Sequence, residues 1–224
     1  MKSITRYAPM DINSWDKTGQ GKNIMHLFNS LEKEIWVKAF PYQDKRNDVG
    51  HIEHVVYFVF KLLEYIRAER AIVVPAAILH DTGWGEVIPR LLSSWNPFSE
   101  DFKKNERKFR ELHQEAGVKI SEKILEEVGY QKQYIDTIIE IVSQHDTRNL
   151  FFCTEDGIVR DADKLWRFSL RHWEIYYSKI DPKDAYSRLL RAIKNSSFFS
   201  SNISRHIARA ELEQTVKAIK VNFL

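Results

Sequence analysis

Apolar residues in this chain recur at intervals of three and four almost throughout, a spacing that restricts the fold to packed helices. Val55, Val59, Leu62 and Ile66 form one such stripe, and Phe102, Phe109, Ala116, Ile120 and Ile124 form another. Strand signals, meaning period-two alternation between turn clusters, are nearly absent; a short exception surrounds Ile158 and Val159. The pattern predicts helices over about 23–38, 50–70, 71–79, 99–128, 131–145, 162–179, 182–194 and 202–221. Pro75 is expected in the first turn of the short apolar helix AIVVPAAIL, where a missing N–H costs little. Ser99 reads as an N-cap and Gly129 as a stop. Residues 84–98 hold two prolines and read as a loop, as does the stretch from 146 through Gly157.

With 224 residues, no internal repeat and no Gly/Ser-rich linker, the economical expectation is one all-α domain spanning 1–224. Hydrophobic residues at 43% and aromatics at 12% supply a core and exclude wholesale disorder. The single cysteine, Cys153, excludes an intrachain disulfide and a cysteine-rich zinc module, and it reads as a small buried hydrophobe. No apolar run approaches the ~18 residues of a membrane span. The opening MKSITRYAPMDINSW has no apolar signal core, so a soluble, cytoplasmic protein without a membrane partner is expected. The net charge of +3 is spread over mixed-sign stretches such as EKEIWVK and SEDFKKNERKFRE, which reads as a solvated helix surface. Nucleic-acid binding, which calls for a concentrated basic stripe, is not expected.

The histidines and aspartates carry the chemistry. His80 and Asp81 end the most apolar helix, where a buried carboxylate must be paired or bind a cation. His113 lies four residues after Phe109 and so points with the core residues. His145 follows Ile138, Ile141 and Val142 at helical spacing, and His51 starts the Val55 stripe. Asp161 and Asp163 precede Leu165, Trp166 and Phe168. A lone inward histidine is more often a hydrogen-bonded core residue. About six such groups converging on one core need a cation, and imidazole with carboxylate suits Mn, Mg, Fe, Ni, Co or Zn.

The segments RNDVGHIEHVV, PAAILHDTGW and DADKLWRF, in this order, resemble the HD-domain superfamily of metal-dependent phosphohydrolases over about residues 45–170, with additional helices after that core. The resemblance implies that His51, His80, Asp81 and Asp163 ligate one metal. His54 competes with His51, and Asp161 with Asp163. His113 and His145 match positions that hold a second metal in dinuclear members, with Asp81 bridging, so one or two divalent ions per chain are implied. Those members include the HD-GYP cyclic-dinucleotide phosphodiesterases, inositol oxygenase and the phosphonate-cleaving oxygenase. Here HDTGWGE replaces the usual HD-x-G-K, which argues against a cyclic-dinucleotide enzyme.

A bound cation polarises a phosphoryl oxygen and supplies hydroxide at neutral pH. The expected activity is therefore hydrolysis of a phosphate ester of a nucleotide or small metabolite, with His80 and Asp81 at the catalytic centre. Arg46, Arg148, Lys164 and Arg167 are the candidate phosphate donors, since a guanidinium presents a planar fork to phosphate. Trp84, next to the His-Asp turn, is a candidate pocket wall. Two other readings stay open: a diiron oxygenase on the same scaffold, and a metal-stabilised binding module without turnover.

Overall fold

Asn29 sets the start of the first helix. Its side chain accepts from the Glu32 amide at 2.9 Å while Glu32 accepts from the Asn29 amide at 2.8 Å, a reciprocal cap that fixes α1 at Ser30–Ala39. The helix predicted from residue 23 thus begins at 30, and Met25–Leu27 form a separate 3-10 turn. Glu32 is buried and also accepts two bonds from Arg70, at 2.6 and 2.8 Å, which ties α1 to the start of α3.

The computed structural model describes residues 24–91 and 100–220, apart from 44 and 47. The described residues are all-α. After α1 come α2 (His51–Leu63), α3 (Arg70–Leu79), α4 (Trp84–Leu91), α5 (Glu100–Glu127), α6 (Lys132–Gln144) and α7 (Thr154–Trp166). The short α8 (Leu170–His172) runs into a π-helical turn, Trp173–Tyr177, and α9 (Pro182–Lys194) and α10 (Asn202–Ala218) follow. No strand occurs among the described residues. Ile158 and Val159 lie inside α7 and are buried, so their β-branched pair is core packing.

Several boundaries differ from the sequence reading. The 50–70 helix ends at Leu63. Residues 84–91 are helical despite Pro89, because Trp84, Val87 and Ile88 pack as an apolar face against Phe109 and Ala116 of α5. α7 starts at Thr154, with Cys153 Sγ and the acids Glu155 and Asp156 at its positive end, and Gly157 lies within it. Ser169 breaks the predicted 162–179 helix by accepting from the His172 amide. The Ser99 cap, residues 92–98 and residue 221 lie outside the described residues.

Pro75 sits inside α3 and not in its first turn. A proline there cannot donate to the carbonyl four residues back, that of Ala71. The Tyr130 hydroxyl donates to that carbonyl instead, at 2.6 Å. Tyr130→Phe is therefore expected to cost about 1 kcal/mol, read as a lower denaturant midpoint. An unchanged midpoint would mean that water serves the carbonyl equally well.

One continuous buried cluster runs from Ile24 to Leu212. In it α2 packs on α7 and α3, α3 on α6, and α6 on α5. α10 lies against α7, and Thr215 donates to the Phe168 carbonyl at 2.8 Å. No described helix is long and apolar enough to cross a membrane.

Candidate metal centre

Five helices bring the histidines and aspartates to one place. Gly50, at φ 93°, makes the left-handed turn that launches α2 with His51 as its first residue. His80 caps the C-terminus of α3 and Asp81 follows it; His145 caps α6 in the same way. His113 projects from the middle of α5, and Asp163 from the last turn of α7. The turn after Asp81 lies directly against α5. A Cβ added at Gly83 would meet the His113 carbonyl oxygen at 1.7 Å and the Gly117 nitrogen at 2.6 Å, so only glycine allows this approach.

Asp81 is the centre of the arrangement, and its two oxygens face different partners. Oδ2 lies 3.2 Å from His51 Nε2, 3.6 Å from His80 Nε2 and 2.5 Å from Arg46 Nη2. Oδ1 lies 3.3 Å from His145 Nε2 and 3.5 Å from His113 Nε2. The Nε2 atoms face each other in pairs, His51 with His80 at 3.4 Å and His113 with His145 at 3.3 Å. Asp163 Oδ1 extends the first pair, 3.5 Å from His51 Nε2. Two donor groups result, His51–His80–Asp81 and Asp81–His113–His145, all buried.

The ring orientations are fixed from behind. Nδ1 of His80 donates to the Ala77 carbonyl at 2.7 Å, Nδ1 of His145 to Val142 at 2.9 Å, and Nδ1 of His113 to Phe109 at 3.3 Å. A carbonyl can only accept, so the proton sits on Nδ1 and the Nε2 lone pair turns inward. His51 differs: its buried Nδ1 has no hydrogen-bond partner.

Each pair carries one imidazole pushed up and one pushed down. Burial opposes the charged form of His145, but Asp81 and Asp146 outweigh it and raise the imidazole to about 9. For His51 burial is again outweighed, by Asp81 and Asp48. Burial prevails at His80 and His113, which are lowered. The Asp81 carboxyl is held well below its ordinary value because Arg46 and the imidazoles overcome its burial. Nε2 atoms turned inward around one ionised carboxylate are, with the rings neutral, a donor set that fits divalent cations.

The remaining candidates divide cleanly. Nδ1 of His54 bonds the Gly50 carbonyl at 2.6 Å and its ring packs on Trp166 at 4.6 Å, outside both groups. Asp161 is buried, and its oxygens accept from the Ser200 amide and hydroxyl. Arg46 and Arg167 line a cleft of about 800 Å³ that opens beside His51, Asp81 and Asp163. Arg148 and Lys164 do not line it. Arg148 is held by Glu140 and lies over Phe152, and Lys164 donates to the Phe198 carbonyl at 2.7 Å between aromatic rings. Trp84 is buried and stacks on His113, centroids 4.2 Å apart, so it backs a ring and does not line the cleft.

Asp146 is the residue that sequence reasoning passed over. Its Oδ2 lies 3.6 Å from His113 Nε2 and 3.8 Å from His145 Nε2, and Arg110 holds its Oδ1 at 2.6 Å. Burial is outweighed by His145 and Arg110, so its carboxyl is lowered to about 2. The available signal was a second His-Asp dipeptide, 145–146, repeating the first at 80–81.

The sequence matches the HD domain over residues 49–167, more than half of the chain. The chain belongs to the HD-domain family. No curated protein and no solved structure matches it. The HD-domain match opens two residues before His51 and closes at Arg167, so both donor groups and Asp163 fall within it. The π-helical turn, the residues just after it and α9 follow the HD domain and contribute Tyr176, Tyr177, Ile180 and Arg188 to the same cleft.

Proposed function

We propose that this HD-domain protein is a metal-dependent phosphohydrolase acting on a phosphate ester of a nucleotide or small metabolite. The observation that carries the reading is the division of Asp81, one oxygen toward His51 and His80 and the other toward His113 and His145. His51, His80, Asp81 and Asp163 would hold one ion, and Asp81, His113 and His145 a second. Bound there, the ions would polarise the phosphoryl oxygen and activate water near neutral pH.

The chain's own residues do the rest. Arg46 is kept in place by Asp48 at 2.9 Å and by Asp81, so its guanidinium meets an incoming phosphate beside the ligands. Arg167 offers a second cationic donor on the same cleft. Arg110, gripped by Glu106 at 2.7 Å, holds Asp146 beside His113 and His145. Asp146 thereby steadies the two imidazoles of the second half.

Elemental analysis of protein purified without added metal or chelator, followed by a phosphate-release screen, tests this reading. About two ions of a divalent metal per chain, with turnover abolished by chelator, is the expected result. No metal, and none taken up on titration, would refute it. The completeness of the second donor group also supports an alternative, a diiron oxygenase, because that chemistry needs both His113 and His145. Iron at about two per chain, with substrate-dependent oxygen uptake and no phosphate release, would select it. Metal with ligand binding and no turnover would select the non-catalytic module.

A further inference from the structure

The cleft is much larger than one phosphoryl group, and the first donor group with Asp163 contributes only His51, Asp81 and Asp163 to its lining. Five further lining residues, His172, Tyr176, Tyr177, Ile180 and Arg188, come from after the HD domain. His172, Tyr176, Tyr177 and Ile180 reach the cleft from the π-helical turn and the residues on either side of that turn. Their rings form a continuous shelf. Trp166 meets His172 edge-on at 5.4 Å, and His172 lies 4.6 Å from Tyr176 and 5.1 Å from Tyr177. A π-helical turn at this point is itself a common mark of a functional site.

Four arginines line the cleft, and they fall into two kinds. Arg46 is bonded to Asp48 and Asp81, and Arg110 to Glu106 and Asp146. Arg167 and Arg188 make no ion pair among the described residues. Arg167 follows the last residue of α7; Arg188 stands on α9 between the buried Ala185 and Leu189, which fix that helix on the core. Both line the same cleft as Tyr177, whose hydroxyl their charges act on. Arg167 also lies over the Phe198 ring, 5.9 Å from its centroid, but neither guanidinium has a carboxylate partner among the described residues. Two such groups match the charge of about −2 of a phosphate monoester, whereas a carboxylate would leave one unmatched.

We infer that Arg167, Arg188 and Tyr177 form a second phosphate subsite, across the aromatic shelf from the donor cluster, and that the substrate carries a second phosphoryl group away from the bond that is cleaved. The inference rests on reading the cleft as the substrate site. It adds a substrate class: phosphate esters with two phosphates separated by a ring or flat body able to lie on His172, Tyr176 and Tyr177.

The test uses the full chain stripped with chelator, so that no ion can hold the probe, and inorganic phosphate as that probe, followed by phosphorus NMR. Saturable binding is expected in wild type. Arg167→Gln and Arg188→Gln should each weaken it by roughly fivefold or more, with unchanged circular dichroism and unchanged metal uptake on reloading. Arg188 is exposed, so its substitution leaves folding intact. Absence of phosphate binding to the stripped wild type, or equal binding by both variants, would overturn the subsite. The underlying reading fails separately: a reloaded protein that binds phosphate through these arginines and hydrolyses nothing would retain the subsite and lose the hydrolase.

Discussion

Asp81→Asn is expected to strip metal from both halves of the centre and to lower phosphate release by about a thousandfold or more. The substitution keeps the shape of the side chain and removes its charge. That charge serves two donor groups at once, since each oxygen faces its own pair of imidazoles. It is also a principal partner of Arg46, and the main group that offsets burial at His51 and His145. No neighbouring carboxylate can substitute. Asp163 touches only the first pair, and Asp146 only the second while bound to Arg110. His113→Ala, by contrast, should spare the His51–His80–Asp81 group and reduce the metal content to about one ion. Metal analysis on both variants, with rates under saturating metal, separates the two outcomes. Full metal content and near-normal turnover in Asp81→Asn would sink the bridging assignment.

Gly83→Ala is expected to destabilise the whole fold by about 3 kcal/mol or more, lowering the melting temperature by about 10 °C. The new methyl would lie 1.7 Å from the His113 carbonyl oxygen and 2.6 Å from the Gly117 nitrogen. Both obstacles are backbone, so no rotamer change relieves them. Either the His-Asp turn or α5 must retreat, and the retreat pulls His113 from Asp81. A thermal melt and a metal count on the same sample should therefore change together. A melting temperature within about 2 °C of wild type, with full metal content, would mean that the two segments separate at little cost.

The sequence was most legible where periodicity and chemistry coincide. α9 was read to the residue at Pro182–Lys194, because Asp181, Pro182 and a strongly one-sided apolar face define it. The candidate donors were legible only as a set: several imidazoles and carboxylates at core-facing positions are unusual together, whereas any one alone is more often a hydrogen-bonded core residue. The helix at 84–91 was not legible, since the two prolines of the stretch, Pro89 and Pro97, normally punctuate loops; tertiary packing of Trp84, Val87 and Ile88 overrides Pro89. The start of α7 was hidden by Gly157, against which the Ser200 side chain packs closely, 3.0 Å from where a Cβ would stand. The arginines were legible only by type. Arg148 and Lys164 sit next in sequence to functional groups yet turn to Glu140 and the Phe198 carbonyl, and periodicity says nothing of such partners. Asp48, Asp146 and Arg188 reach the cleft through the packing of helices far apart in sequence.

The backbone anchors of His80 and His145 have a dynamic consequence. Each ring takes its direction from a carbonyl three residues back, in the last turn of α3 or α6. Both rings and both anchoring residues, Ala77 and Val142, are buried in the core, where local opening is costly. Releasing either Nδ1 hydrogen bond, so that the ring rotates out of register, would therefore disturb the packing around it. The donor geometry is thus coupled to the stability of the core, and conditions that loosen the core should loosen the centre with it.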